Sequence, residues 1–412
     1  MSTARRPRPG VTLLPARLCA LLVSLGIWLA WVSPAAAYPF MLKHGHSQCG
    51  SCHTDPMGGE TLTGMGRAAS DALLSTRWDG GDAPRSVAEL FFGVEEPRAL
   101  RVGGSVRYMT GLYKFPKDGA KGEFNHFPMQ ADTYGQATVG PVRFGGSLGY
   151  TRVPVGSPHA QAAFVTSNQD GERPSNLVSR THFVGVDVAE GMLLRAGRIN
   201  LPFGIRMPEH VMWVREATRT DRESDQQHGV AFSYARGKLR GEVMAIAGNY
   251  QVRPDEFRER GYALHGEYQL ADRLGVGLSS LLTRAELDRV LGSPDPVVRQ
   301  AHGVTLRAAP LRDLVLLAEA DALLTTGLGA GYVGMLQADY EVLRGLHGMV
   351  TGEIVDAGKP EAVPGGPGAG EPRLGAWASV GWFFFTHFDW RADLVVRQDS
   401  PVTFQSQLHY YF

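Results

Sequence analysis

The sequence has few cysteines, no long apolar run after its N-terminal leader and no basic block, and each absence narrows the classes of protein to consider. Of three cysteines among 412 residues, Cys19 lies in the leader and only Cys49 and Cys52 follow it. A zinc site normally needs four ligands, and no second cysteine pair exists to supply them. No later segment is apolar enough for a membrane-spanning helix. No basic block remains that would indicate binding to nucleic acid.

Residues 1–37 have the organisation of a secretory signal peptide. Four arginines come first, an apolar run covers 18–32, and the segment ends on Ala35-Ala36-Ala37, so we expect cleavage before Tyr38. The run is shorter than the roughly 18 to 20 residues that a membrane anchor needs. Cys19 stands at the head of the run rather than after it, which argues against a lipoprotein. Removing the leader leaves 37 basic against 41 acidic residues, a net charge of −4.

After residue 100 the sequence changes to the pattern of an all-β chain. Glycine makes up 51 of the 412 residues, well above the average of about 7 %, and it is spread evenly, which indicates many turns. Apolar and polar residues alternate in segments whose length suits tilted strands across a bilayer. Sixteen such segments are predicted, at 101–114, 130–139, 142–153, 177–188, 192–199, 228–235, 238–249, 261–270, 273–284, 301–308, 313–324, 331–342, 346–356, 373–385, 388–397 and 401–412.

The connections between these segments alternate between tight turns and long polar loops. The turns fall at 140–141, 190–191, 237, 271–272, 310–311, 344–345 and 386–387; the loops fall at 115–129, 154–176, 201–227, 250–260, 285–300 and 357–372. This asymmetry is typical of a 16-stranded antiparallel transmembrane β-barrel of the outer membrane, with both chain ends on the periplasmic, short-turn side. A soluble β-sandwich or barrel is the alternative. The leader and the aromatic ending 408–412 favour the membrane barrel.

In such a barrel the apolar positions face lipid and the charged positions face the lumen. The residues predicted to line the interior are Arg107, Glu242, Glu267, Glu319, Asp321, Asp339, Glu341, Glu353, Asp389, Arg391 and Asp393. Their carboxylates could bind a divalent ion such as Fe²⁺, but a charged lumen is also how porins stay hydrated and selective, and we favour that interpretation. The loop that contains Trp213 either folds into the pore or extends outside, and the sequence leaves this open.

The motif Cys49-Gly50-Ser51-Cys52-His53 indicates the covalent attachment of one c-type haem. Cys49 and Cys52 would form thioethers with the haem vinyl groups, and His53 would bind the iron from one side. A thioredoxin-type redox pair would need a βαβ context, which the sequence lacks. Residues 38–100, the haem segment and its linker, are too few to enclose a haem alone. We therefore expect this segment to pack against the barrel formed by 101–412.

The sixth ligand of the iron stays open at this stage. Candidates within the haem segment are Met41, His44, His46, Met57 and Met65, and candidates from the lumen are His347 and Met349. Met57 follows His53 closely and would have difficulty in reaching the opposite haem face. The choice depends on the tertiary structure.

The segment 38–67, with Pro39-Phe40, Gly45, the haem motif and Gly64-Met65-Gly66-Arg67, is followed by the predicted barrel. In this it resembles the fused monohaem cytochrome-porins of iron-oxidising bacteria. The stretch 194–204 is similar to the G-R-x-x-x-P-F-G sequence common in bacterial porins, and the C-terminal Phe412 is similar to their outer-membrane insertion signal. The resemblance implies an outer-membrane iron oxidase with one covalent haem in or below the barrel, held by Cys49 and Cys52 with His53 as proximal ligand.

Two functions from different classes therefore stand as hypotheses. The first is an outer-membrane electron-transfer protein that passes electrons through one haem c to or from a periplasmic cytochrome, with extracellular Fe(II) as a donor that would make it an iron-oxidising enzyme. The alternative is a porin for small solutes whose haem segment is structural or sensory. A soluble periplasmic haem protein is a third hypothesis, which fractionation away from the outer membrane would support.

Overall fold

The computed structural model describes most of the segment and barrel that the sequence predicts. It covers residues 39–46, 48–76, 99–116, 121–151, 164–168, 175–209, 211–222, 224–249, 258–288, 295–358, 371–398 and 400–412. The predicted leader 1–37 and the linker at 79–84 lie outside these residues.

The described residues form one antiparallel sheet that closes on itself. Sixteen strands make the wall, because β1–β3 and β6–β18 each pair with their neighbours and β18 pairs with β1. Strand β5 extends the line of β6 along β3, and β4 pairs with β5 at the long-loop end. In chain order the strands are β1 Leu100–Lys114, β2 Glu123–Val139, β3 Val142–Thr151, β4 Phe164–Asn168, β5 Ser175–Val178, β6 His182–Ala189, β7 Met192–Ile199, β8 Gln227–Arg236, β9 Leu239–Gly248, β10 Arg260–Ala271, β11 Leu274–Ala285, β12 Val297–Ala308, β13 Leu314–Thr325, β14 Gly329–Leu343, β15 Leu346–Asp356, β16 Arg373–Phe385, β17 Phe388–Arg397 and β18 Thr403–Tyr411.

The prediction of sixteen wall strands is confirmed, and the largest difference in bounds is at β2. This strand begins at Glu123, seven residues before the predicted start at 130, and pairs with β1 as far as Lys114. The register shifts twice along this pair, and Pro128 stands opposite Tyr108. Proline and bulges interrupt the apolar–polar alternation, so the early part of β2 carries no period-two signal.

The two faces of the wall have the polarity of a membrane barrel. Large apolar side chains are exposed on the outside, among them Leu278 at 64 % and Leu336 at 59 %. All eleven charged residues predicted to line the interior face inward; ten are buried and Asp389 is half-buried. A soluble sandwich would bury its apolar face and expose its charges, so the predicted membrane barrel is confirmed over the soluble alternative.

The described residues of 200–226, between β7 and β8, form an inner loop that folds into the lumen. They include helix α2 (Trp213–Thr218), which packs against β13, β14 and β15. Trp213 is 6 % exposed, so the question that the sequence left open is answered: this loop lies inside the barrel. Apolar side chains of the loop form one buried cluster with wall residues, which includes Leu201, Phe203, Ile205, Met207, Met212, Trp213 and Val214 from the loop and Met244, Leu281, Val315, Leu317, Val333, Met335, Val355, Trp377 and Val395 from the wall.

The described residues of 39–76 form a plug at the short-turn end of the lumen. The plug consists of 3₁₀ turns at Pro39–His44 and Cys49–Ser51, helix α1 (Gly64–Ala69) and a π-helical turn at Ser70–Leu74. It packs in a small apolar cluster that includes Met41, Cys52 and the wall residues Phe383 and Tyr411. No helix among the described residues is long and apolar enough to cross a membrane.

Candidate functional site

The haem-motif residues form a tight loop that is fixed by its own backbone and by α1. The amide groups of Cys52 and His53 both donate to the carbonyl oxygen of Cys49, at 3.1 and 3.0 Å. The Thr63 hydroxyl caps α1 by accepting from Gly66 N at 3.1 Å, and it donates to Ser51 O at 2.6 Å. The start of the helix therefore holds the motif loop in place.

Asp55, two residues beyond His53, fastens this loop to the barrel. Its carboxylate is fully buried and accepts hydrogen bonds from Arg206 at 2.7 Å, Arg195 at 3.3 Å and Asn200 at 3.3 Å. Arg195 belongs to β7, whereas Asn200 and Arg206 belong to the inner loop. Arg206 also donates to Gly58 O at 2.6 Å. One carboxylate thus joins plug, wall and inner loop.

Further contacts join the remainder of the plug to the periplasmic end of the wall. Lys43 forms a buried ion pair with Glu341 on β14 at 2.5 Å, and the Ser70 hydroxyl lies 2.8 Å from the Tyr411 hydroxyl on β18. The amide of Thr76 donates to Phe383 O on β16 at 2.9 Å. β14, β16 and β18 lie in one part of the wall, and Arg195 on β7, which pairs with Asp55, lies in another part, so the plug is held across the lumen.

A cavity lies between the plug and the inner loop, and the haem motif forms part of its floor. The room inside it that the centre of a water molecule can reach is about 200 Å³. The residues that line it include Cys49, His53, Met57 and Glu60 from the plug, Ile205, Arg206, Met207 and Arg222 from the inner loop, and Arg107, Arg240, His265, Glu267, Arg307, Asp339, His347, Met349, Asp389, Arg391 and His409 from the wall.

Burial sets the protonation of the groups in the motif. It lowers the pKa of His53 to about 4, with the charge of Arg222 acting in the same direction, so the imidazole is neutral at pH 7. Burial likewise raises the pKa of Cys52 to about 11, with a smaller contribution from Cys49. Glu60 has a pKa raised to about 7, first by burial and then by the nearby Asp55. A neutral imidazole is the form that binds a metal ion.

Cys49 is the more accessible of the two thiols and contacts a buried charge network. Cys52 is buried and Cys49 is half-buried. The Arg240 guanidinium donates to Cys49 Sγ at 2.9 Å and to Glu267 Oε2 at 3.0 Å. Arg307 also pairs with Glu267. The wall therefore supplies charged partners on the Cys49 side of the motif.

The motif residues fit a covalently bound haem c. Cys49 and His53 face one cavity and Cys52 lies behind them in the same loop. The Nδ1 atom of His53 is buried and makes no hydrogen bond with the described residues, whereas the ring also has a hydrogen bond with the Gly59 backbone. Cys49, Cys52 and His53 would hold the group, as the sequence predicts.

Three of the seven predicted sixth-ligand candidates line the cavity, namely Met57, His347 and Met349. His347 Nδ1 lies 2.8 Å from Asp339 Oδ1, and its Nε2 atom is buried without a hydrogen bond to any described residue. Met41 and His46 are buried within the plug, His44 also belongs to the plug, and Met65 is 52 % exposed. The structure thus places three of the seven sixth-ligand candidates at the cavity and does not select one of them.

The luminal carboxylates are mostly engaged by arginine. Glu242 accepts from Arg195 at 2.7 Å, and Glu353 accepts from Arg397 at 2.9 Å. No group of three or more His, Cys, Asp or Glu side chains within the described ranges is arranged to hold a metal ion.

Sequence reasoning missed several residues of the cavity. His265 and His409 occupy inward positions of their strands, so the alternation of β10 and β18 could have identified them. Arg206 and Arg222 lie in the inner loop, where no periodic pattern indicates which side chains meet the haem motif.

Comparison with solved structures shows a porin fold. The chain resembles OmpF of Salmonella typhi, solved in complex with daunomycin, at 13 % identity over 76 % of this chain and 97 % of that one, with a TM-score of 0.55. OmpT of Vibrio cholerae matches at 13 % identity over 77 % and 99 %, with a TM-score of 0.54. An anion-selective porin from Comamonas acidovorans matches at 11 % identity over 76 % and 99 %, with a TM-score of 0.51. The chain has the fold of a Gram-negative outer-membrane porin.

No protein-family model matches the chain, and neither does any curated protein. The resemblance to cytochrome-porins therefore rests on the motif and on its position before a barrel.

Proposed function

We propose that the chain is a porin-type protein whose plug carries one covalently bound haem c, attached through Cys49 and Cys52 and ligated by His53. It passes single electrons between an extracellular donor or acceptor, such as Fe(II), and a periplasmic carrier such as a cytochrome. The observation that carries this proposal is the position of the C-x-x-C-H residues at a cavity enclosed by plug, inner loop and wall. When bound there, the haem would supply a one-electron redox centre.

The filled lumen supports electron transfer over solute flow. An open porin has a polar, water-filled interior, whereas apolar residues of this inner loop pack against the wall in one buried cluster. The plug occupies the short-turn end, where Asp55 and Lys43 fasten it through buried ion pairs. The chain's own residues would thus exclude water, orient the motif loop and surround the cavity with paired charges.

A porin for small solutes, with a structural or sensory haem segment, is the second candidate. The comparisons support it more directly than they support electron transfer, because the similar structures are outer-membrane porins. A similarity at 11 to 13 % identity shows a shared fold and does not show which species is transported. The cavity is lined by many charged groups, and such groups could also select ions in a conducting pore.

Mass and spectroscopy test the proposal on full-length protein purified from membranes. We expect the mass of one haem to be added to the mature chain, an in-gel peroxidase signal, and a reversible one-electron titration. The Cys49→Ala/Cys52→Ala double variant should lose all three. A wild-type chain without covalent haem, expressed together with the haem-attachment machinery, would refute the proposal.

Liposomes distinguish the two candidates. A barrel that conducts electrons should let a donor outside the liposome reduce an acceptor enclosed in it, while small sugars cause no swelling. Rapid swelling without electron transfer would instead support the solute porin.

A further inference from the structure

Arg107 is a buried cation that lines the cavity and has no carboxylate partner among the residues that the structure describes. It lies on the inward face of β1 and is 6 % exposed. Its one hydrogen bond with the described residues is long, 3.5 Å from Nη1 to the carbonyl oxygen of Pro208 in the inner loop. A guanidinium has several N–H donors in a planar fork, so most of its capacity is unused.

Five other arginines that line the cavity, at positions 180, 206, 240, 307 and 391, each pair with a carboxylate. Arg206 pairs with Asp55, Arg240 pairs with Glu267, and Arg391 pairs with Asp393 and with Glu209. The acids near Arg107 along the paired strands already have partners. On β2, Asp132 stands opposite Ser105, and its Oδ2 atom pairs with Arg180. His409 on β18 is the cross-strand neighbour of Arg107, and Asp389 on β17 is the next residue across from His409. The Asp389 carboxylate accepts a hydrogen bond from His409 Nδ1 at 2.9 Å.

A buried guanidinium without an anion is costly, because its desolvation is not offset by an ion pair. Its planar fork fits a carboxylate or a phosphate, each of which can accept two parallel N–H···O bonds. A covalent haem would bring propionate carboxylates into the same cavity that Cys49, His53 and Arg107 line. We propose that Arg107 binds a haem propionate. This inference rests on the proposed function.

Anchoring a propionate would also set the redox behaviour of the haem. A fixed positive charge close to the haem favours the reduced haem, which carries one positive charge less than the oxidised haem. Arg107 is then a cofactor-binding residue that raises the reduction potential, and its removal should lower that potential.

The test compares three variants of the haem-loaded, full-length protein by spectroelectrochemical titration and mass. Arg107→Gln should keep one covalent haem and lower the equilibrium constant for reduction by about tenfold, which is ~59 mV for a one-electron couple. Arg107→Lys keeps the charge and should stay close to wild type. Arg143→Gln is the matched control, because Arg143 pairs with Asp187 and lies outside the residues that line the cavity; its potential should not change.

The possible failures are distinguishable. A wild-type protein without covalent haem overturns the proposed function and this inference with it. A fully loaded Arg107→Gln variant with the wild-type potential overturns the inference alone. A third outcome combines two measurements. The Arg107→Gln change leaves the potential of the haem-loaded protein unchanged, but it alters the anion selectivity of the haem-free Cys49→Ala/Cys52→Ala barrel in planar bilayers. In that case Arg107 binds a passing anionic solute, and the propionate assignment is wrong.

Discussion

The Asp55 carboxylate lies 2.7 Å from Nη1 of Arg206, and this contact joins the plug to the loop that crosses the lumen. Both side chains belong to segments that the barrel encloses. Asp55 also pairs with Arg195 on the wall, so the haem-motif loop, the inner loop and β7 share one buried anion. The position of His53, two residues away, depends on this arrangement.

Replacing Asp55 by Asn should therefore loosen the plug. The change leaves two buried guanidinium groups with less compensation, and breaking a buried pair typically costs about 3–5 kcal/mol. We expect faster proteolysis of the plug and a higher ion conductance in planar bilayers. Asp187→Asn is the control, because its pair with Arg143 is partly exposed and such pairs are worth about 1 kcal/mol or less. Equal conductance of the two variants would contradict the proposed anchoring.

Alanine substitutions at two glycines of α1 test the contact between this helix and the haem motif. A Cβ atom on Gly66 would collide with the Cys52 carbonyl, whereas one on Gly64 would meet no atom within 4 Å. Gly66→Ala should displace the motif loop, at about 1–3 kcal/mol, and lower the yield of covalent haem. Gly64→Ala should be neutral or stabilise the helix by up to about 1 kcal/mol. Haem per chain, measured by mass, decides the result, and equal haem content in the two variants would refute the close contact.

Trp213 is expected to hold the inner loop against the wall. Its amide donates to Glu353 Oε1 at 2.7 Å, and the Arg397 guanidinium lies 4.7 Å from its ring centre. Trp213→Ala removes a large buried side chain, which typically costs about 3–5 kcal/mol. We expect lower thermal stability and larger single-channel conductance. Tyr268→Ala, on the exposed outer face at 48 % exposure, should leave the conductance unchanged; a similar rise in that variant would point to a general loss of barrel integrity.

The plug should undock as the pH falls, and His387 is one cause. This residue lies in the turn between β16 and β17, and its pKa is lowered from 6.5 to about 4, mainly by burial and then by the charge of Arg67. Because the folded pKa lies below the unfolded one, its stabilising contribution is complete above pH 6.5 and is lost as the pH falls towards 4. The loss amounts to at most about 3 kcal/mol.

His387→Asn should flatten this pH dependence, since Asn does not titrate and tolerates the positive φ of 68° at this position. Buried His46, with a pKa lowered to about 3 by burial and then by His44, acts in the same direction, so some dependence should remain. Limited proteolysis of the plug at pH 7.5 and pH 5 measures the effect. His126→Asn, at an exposed position on β2, is the control. A wild-type slope in His387→Asn would exclude His387 as a cause.

The wall of the barrel was predictable because its signal is local. Alternation in a segment such as 388–397 gives both the strand and its faces, and the structure confirms that Arg391 and Asp393 point inward. The haem motif was equally visible, because five consecutive residues carry it. The start of β2 was missed, since Pro128 and the register shifts remove the periodicity there.

Only the tertiary structure decided how the plug, the inner loop and the wall contact one another. Asp55 and Arg195 are 140 residues apart in the chain, and nothing in either local sequence predicts their pairing, which exists only because the barrel closes around the plug. The same holds for the inward fold of the inner loop and for Arg107, whose lack of a carboxylate partner among the described residues is a property of its surroundings. The sequence determined the strands, their faces and the C-x-x-C-H motif because these depend on neighbours in the chain. Plug anchoring, cavity and charge pairing depend on long-range contacts, so only the folded barrel could determine them.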